Sequence, residues 1–173
     1  LHGKVTFLAF LAPSRTRIRQ YQRYAEEVEQ QVQEVNAAFQ RDGWQPIHAF
    51  YENNYSQAVA GLRMYDVLLV NAIFDGMNLV AKEGALLNQR NGVIVLSEGA
   101  GAYQELGRWA LTVSPTDIEG TAQALYEGLT MPESERALRA RQLRELVIEH
   151  DLRRWIADQL SDLAQLRAER HAR

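Results

Sequence analysis

The 173-residue sequence has no cysteine, which excludes a disulfide framework and any thiolate metal site. Its four histidines, His2, His48, His150 and His171, are scattered without the spacing of a metal cluster, so no metal is expected. Neither sign of charge predominates, with 19 Lys and Arg against 22 Asp and Glu. The formal net charge is -3 and the pI about 5.8, a balance that gives no reason to expect nucleic acid as a partner. Apolar runs stop at strand length, well short of the roughly 20 residues a membrane-spanning helix needs. No secretory leader is visible, and a soluble cytoplasmic protein without a membrane partner is the expectation. Leu1 is not an initiator methionine, so the natural N-terminus is expected to lie upstream.

What remains is an alternation of short apolar runs with amphipathic stretches. Residues 4–11 form a largely apolar run bounded by Gly3 and Pro13, the pattern of a strand covered on both faces. A helix is predicted over 16–41, with Ile18, Tyr21, Ala25, Val28, Val32, Val35 and Phe39 at three- and four-residue steps. Gly43 is placed to terminate it. Strands are predicted over 45–50, 66–71, 93–96 and 110–113, and helices over 56–64, 78–88 and 103–106. From Pro115 onward only helices are expected, over 116–131 with a cap at Thr116 or Asp117, then 133–148 and 151–170. Strands alternating with helices imply right-handed crossovers and a parallel sheet. The fold class is therefore α/β, a Rossmann-like doubly wound parallel sheet of about five strands followed by C-terminal helices. Residues 1–150 are read as the main domain, with 151–173 as a final helix.

The most informative segment is Asp75-Gly76-Met77-Asn78-Leu79-Val80-Ala81-Lys82-Glu83, which follows a strand and opens a helix. Such a turn leaves main-chain N–H groups unpaired, and with the positive end of the helix dipole they can hold a diphosphate. Glu83 is expected two turns into the helix, where it could receive sugar hydroxyls. Gly76 could equally serve only to relieve backbone strain. In open parallel sheets, however, ligands lie off the carboxyl ends of strands. A second turn on that side, 97–102, is also rich in small residues, and Asn71 and Ser97 end the strands there.

Among Arg15, Arg17, Arg19 and Arg23, the last three read as a solvated helix face. Arg15 stands in the turn Ala12-Pro13-Ser14-Arg15, where a guanidinium could grip a phosphate. From Glu133 onward nine arginines face eight acidic residues, a balance suited to intrahelical ion pairs. Trp44, Trp109, Trp155 and Leu160 read as packing residues. No Ser/His/Asp set or carboxylate pair can be singled out.

Assembled, these residues resemble the trehalose-6-phosphate synthase family, retaining glycosyltransferases of two-Rossmann-domain (GT-B) architecture. The resemblance rests on Asp75–Glu83, with support from Leu11-Ala-Pro-Ser-Arg15, Arg63-Met-Tyr-Asp-Val67, Leu96-Ser-Glu-Gly-Ala-Gly-Ala102, Leu129-Thr-Met-Pro132 and Glu135-Arg136. It spans nearly the whole chain but only most of the family's C-terminal, donor-binding domain. An N-terminal acceptor domain and a first strand carrying a diphosphate-holding arginine and lysine are expected to be missing. A fragment lacking an inner strand would leave a sheet edge open to self-association.

The resemblance implies transfer of glucose, with retention and without a metal or other cofactor, from UDP-glucose or GDP-glucose to a sugar phosphate. Glucose 6-phosphate is the leading acceptor; related members use glycerol phosphate or pseudo-sugars. Asp75, Gly76, Met77 and Asn78 would face the glucose and diphosphate. Leu79, Val80, Ala81, Lys82 and Glu83 would line the nucleotide, with Glu83 on the ribose, and Leu11 and Asn53 would border the base. Arg15 would take the acceptor phosphate, and the last helix would pack back on the missing domain. Phe74 stands where the family usually has arginine, Asn71-Ala72 where it has Thr-Pro, and Gly84 where an aromatic is common. Two other readings stay open: a non-catalytic nucleotide-sugar-binding module, and a dinucleotide-binding oxidoreductase domain. The second lacks a Gly-x-Gly-x-x-Gly after the first strand.

Overall fold

The computed structural model describes residues 1–171; the last two residues of the expected 151–173 segment lie outside the described residues. The chain divides into two compact units, Leu1–Gly61 and Leu62–Arg173.

In the first unit, β1 (Phe7–Phe10) pairs in parallel with β2 (Ile47–Phe50), Phe7 opposite Ile47 and Phe10 opposite Phe50. The crossover between them is α1 (Arg19–Phe39). Two expectations change here. β1 is shorter than 4–11, and Phe7, Leu8 and Phe10 remain exposed rather than covered on both faces, because a two-stranded ribbon with one crossover helix has little to lay over them. The helix begins at Arg19 and not at 16, with Ile18 the extended residue before it and no side-chain cap. Of the apolar stripe, Val28, Val32 and Val35 are the partly buried part, joined by Asn36. Asn36 exchanges two hydrogen bonds with Ile47, donating to its carbonyl and accepting from its amide, at 2.9 and 3.0 Å. Gly43 (φ +81°) follows Asp42 (φ +50°), and Arg41 and Trp44 bond reciprocally at 3.1 and 2.8 Å. Two successive left-handed residues make this the two-residue turn that Asp-Gly favours, so Gly43 builds a hairpin instead of capping α1. α2 (Tyr55–Met64) then leads out of the unit.

In the second unit, β3 (Val67–Val70), β4 (Val93–Ser97) and β5 (Leu111–Val113) form a parallel three-stranded sheet in that order. The expected five parallel strands are thus all present, two in one unit and three in the other. α3 (Leu79–Leu87) and α4 (Tyr103–Leu106) are the crossovers, and α5 (Ile118–Thr130), α6 (Glu133–Glu149) and α7 (Leu152–His171) follow. Every residue of β4 is buried. Alternation sends Ile94 and Leu96 to a core with Ala81 and Ala85 of α3 and Leu143 and Val147 of α6. Val93 and Val95 go to the opposite face with Leu111, Val113 and Ala124. A strand packed on both sides reads as a continuous apolar run, which is why this one was so legible. Asp117 caps α5, its carboxylate accepting from the Gly120 amide at 2.9 Å.

α6 bonds to the turn at 88–92. Arg136 donates to the carbonyls of Arg90 and Asn91 at 3.0 and 3.2 Å, and Arg144 to that of Asn88 at 2.9 Å. Below that turn, Tyr65 is wedged between two glycines. A Cβ on Gly92 would lie 2.2 Å from the tyrosine ring, and one on Gly84 would lie 2.4 Å from Leu68 Cδ2. Burial pushes the Tyr65 phenol far above its ordinary range, partly offset by Arg144, so the O–H stays a donor, here to the Gly84 carbonyl at 3.1 Å. That carbonyl also accepts from the Asn88 amide. Tyr65→Phe is therefore expected to cost only about 1 kcal/mol in urea unfolding; a loss several times larger would show that the hydroxyl holds more than this carbonyl.

Candidate functional site

The sequence placed the site at the β3–α3 turn, and the structure gives that turn a defined shape. Asn78 is the N-cap of α3, in the left-handed region at φ 68°, and its side chain accepts from the Ala81 amide at 3.0 Å. Asparagine tolerates that conformation better than most residues and caps well. Asp75 is turned inward on its own loop: one carboxylate oxygen accepts from the Met77 amide at 3.2 Å and the other from the Asn78 side-chain amide at 3.0 Å. Its role here is to brace the turn.

The neighbouring β4–α4 turn is laced to it. Asp75 N–H donates to the Gly99 carbonyl at 3.1 Å, and Gly101 N–H donates to the Asp75 carbonyl at 2.9 Å. The Ser97 hydroxyl, fully buried, donates to the Ala72 carbonyl at 2.7 Å and accepts from the Gly99 amide at 2.9 Å. This explains the small residues at 97–102. A Cβ on Gly99 would sit 2.3 Å from the Ile73 carbonyl oxygen, and one on Gly101 2.1 Å from that of Gly76. These glycines admit another loop, where their sequence had suggested room for a ligand.

Gly76 differs from them. It does not have a left-handed φ, and a Cβ built on it would meet no atom within 4 Å beyond the adjoining Asp75 and Met77. No other glycine of this chain lacks both reasons. The strain-relief reading therefore has no support, and the space above Gly76 is open. Three and four residues on, the amides of Leu79 and Val80 make no hydrogen bond among the described residues. They begin a nine-residue helix, so unpaired donors and the helix dipole coincide there.

Glu83 is the fifth residue of α3, just over one turn in, because the helix starts at Leu79. It lies four residues after Leu79 and three after Val80, hence on their face. It is partly buried, and no ion pair or hydrogen bond among the described residues engages its carboxylate. Leu79, Val80 and Met77 are exposed. Ala81 is fully buried in the core, so only its backbone could meet a ligand. Lys82 points elsewhere, its Nζ 2.8 Å from both carboxylate oxygens of Glu105.

Leu11, Arg15 and Asn53 belong to the first unit. Leu11 is partly buried, and its amide donates to the Phe50 carbonyl at 2.9 Å. Asn53 is exposed. Arg15 is exposed, left-handed at φ 50°, bonded to the Tyr21 hydroxyl and 5.2 Å from that ring's centroid. Its carbonyl accepts from Ile18 N–H at 2.9 Å, closing the turn that precedes α1. Among the described residues no group of three or more His, Asp or Glu is placed to hold a metal, and no helix is long and apolar enough to cross a membrane.

The sequence model of glycosyltransferase family 20 matches residues 1–165. Trehalose-6-phosphate synthase of Sinorhizobium fredii is 40% identical over 164 residues, covering 93% of this chain and 35% of that protein. The crystal structure of a UDP-forming alpha,alpha-trehalose-phosphate synthase from Burkholderia xenovorans in complex with glucose-6-phosphate superposes with a TM-score of 0.88 at 36% identity, over 94% of this chain and 36% of that one. The E. coli trehalose-6-phosphate structure bound with UDP-2-fluoro glucose gives 0.88 at 34%, over 95% and 37%. The chain thus spans little more than a third of each of these three proteins.

Proposed function

This chain belongs to glycosyltransferase family 20, and from that premise we propose that it forms the donor-binding part of a retaining glucosyltransferase. The donor is a nucleoside diphosphate glucose, and the leading acceptor is glucose 6-phosphate, giving trehalose 6-phosphate. The observation that carries this reading is Gly76: a glycine that neither its backbone nor the packing around it requires, facing open space three residues ahead of two unpaired helix-start amides. A diphosphate laid over Gly76 would receive Leu79 and Val80 N–H donors. Those donors would also stabilise the charge that builds on the leaving diphosphate as the glycosidic bond breaks. Glu83, one turn further along the same face, would accept the ribose hydroxyls, and Val80 would give the base an apolar contact.

Arg15 on the acceptor phosphate, and Leu11 and Asn53 at the base, are supported by the resemblance of their motifs. The remainder of the protein would supply the acceptor domain and the cationic side chains that complete the diphosphate site. It would also cover α7, where Leu152, Trp155, Ile156, Leu160, Leu163 and Leu166 stand 45–70% exposed, spaced so that they share one face of the helix. The protein is proposed to act in the cytoplasm.

The test is calorimetric titration of the full-length protein with UDP and GDP, and of its Glu83→Ala variant. Wild type should bind one nucleotide clearly better. The variant should lose about 1.5–3 kcal/mol, the worth of a charge-assisted hydrogen bond. Equal affinity in the two proteins would remove the ribose role from Glu83, and no nucleotide binding by wild type would overturn the reading as a whole.

A further inference from the structure

The ion pair that occupies Lys82 joins more than two residues. Lys82 is on the donor helix α3, its side chain only 17% exposed, and both carboxylate oxygens of Glu105 on α4 lie 2.8 Å from its Nζ. On its other side, Glu105 is 3.4 Å from His150 Nδ1. His150 is the C-cap of α6, its amide donating to the Leu146 carbonyl. One residue, Asp151, then separates it from α7. Leu143 and Val147 of the same α6 pack in the core with Ala81 and Ala85 of α3. One carboxylate therefore ties the donor helix to the joint at which the chain leaves the α6 packing and enters an uncovered helix.

A surface pair would contribute little. This one is largely shielded, bidentate and shared, and it clamps α3 one residue before Glu83. Lys82 and Glu83 are successive on the helix, about 100° apart, so a rotation that frees Lys82 also swings Glu83 and the Leu79–Val80 amides. We propose that Glu105 is a positioning residue for donor binding, holding α3 through Lys82 and coupling it through His150 to the α6–α7 joint. Displacement of α7 at that joint would then be felt at the nucleotide. This rests on the nucleotide-sugar reading of the α3 turn.

Two measurements on the full-length protein keep the inference separable from that reading. Hydrogen–deuterium exchange needs no ligand: Glu105→Gln should speed exchange of the α3 amides while leaving β4 unchanged. Unchanged α3 exchange overturns the proposal whatever the protein binds. In steady-state kinetics, Glu105→Gln should raise the KM for the nucleotide sugar about tenfold, leaving the acceptor KM unaltered. The charge-swapped double variant Lys82→Glu/Glu105→Lys should recover most of that loss, because the clamp depends on the pair and not on its polarity. His150→Leu should move the donor KM in the same direction by less, and add nothing on top of Glu105→Gln. Donor and acceptor KM rising together, or no recovery in the swap, would reduce Glu105 to a contributor to stability alone. Failure of wild type to bind UDP or GDP, with the exchange result intact, would instead count against the nucleotide-sugar reading.

Discussion

Gly76→Val is expected to weaken nucleotide-sugar binding severely while leaving the stability of the fold almost unchanged. Apart from the two adjoining residues, no atom lies within 4 Å of a Cβ there, and the backbone is outside the left-handed region where side chains are strained. Its effect on unfolding should stay within about 0.5 kcal/mol, as for surface changes that disturb no packing. A ligand whose diphosphate approaches the main chain at this point would meet three new carbon atoms in the space it needs. Affinity for UDP and GDP should fall by about 100-fold or more, roughly 2.7 kcal/mol. Calorimetry beside urea unfolding checks both halves. Undiminished binding would mean that the diphosphate lies somewhere other than over Gly76.

The opposite result is expected two loops away, at Gly101. There a Cβ would lie 2.1 Å from the carbonyl oxygen of Gly76 and 2.6 Å from its carbonyl carbon. Main-chain atoms cannot swing aside as a side chain can, so Gly101→Ala must part the two loops. Parting them breaks Asp75 N–H to Gly99 and Gly101 N–H to Asp75, bonds of 3.1 and 2.9 Å. Overpacking and the lost hydrogen bonds together should cost about 2–4 kcal/mol, readable as a clear drop in urea midpoint. Nucleotide affinity should fall too, because Asp75 no longer braces the turn. A stable Gly101→Ala protein with unchanged binding would show that the loops do not depend on this contact. The contrast between the two glycines is the stronger test: one should separate binding from stability, and the other should not.

Much of the fold was legible because local signals and packing agree. The run Val93-Ile94-Val95-Leu96 is apolar on both faces because both faces are buried, and of the two caps expected for α5, Thr116 or Asp117, it is Asp117 that serves. The misreadings arose where tertiary context decides. Residues 4–11 look like a central strand, but only Phe7–Phe10 is strand, and Phe7, Leu8 and Phe10 stay exposed. The α1 pattern began early because Ile18 fits the helical period while serving as the residue before the helix.

The candidate site was proposed from its spacing, but the contacts of its individual side chains were not readable from it. Asp75 spends both carboxylate oxygens on its own turn, and Lys82 is taken by Glu105, twenty-three residues on. No sequence signal announces a pair at that separation. The left-handed residue of the turn is Asn78, not the glycine. Sequence reasoning also credited Gly99 and Gly101 to the ligand, when loop-to-loop approach accounts for them.

The lacing of these loops bears on anyone who would move the site to another scaffold. Asp75–Glu83 looks portable as a nine-residue string, yet its conformation is borrowed from Ser97, Gly99 and Gly101. Grafted alone it would arrive without its mould. A chimaera that keeps its shape has to inherit both segments together, with β3 and β4 in register so that Val70 stays opposite Leu96.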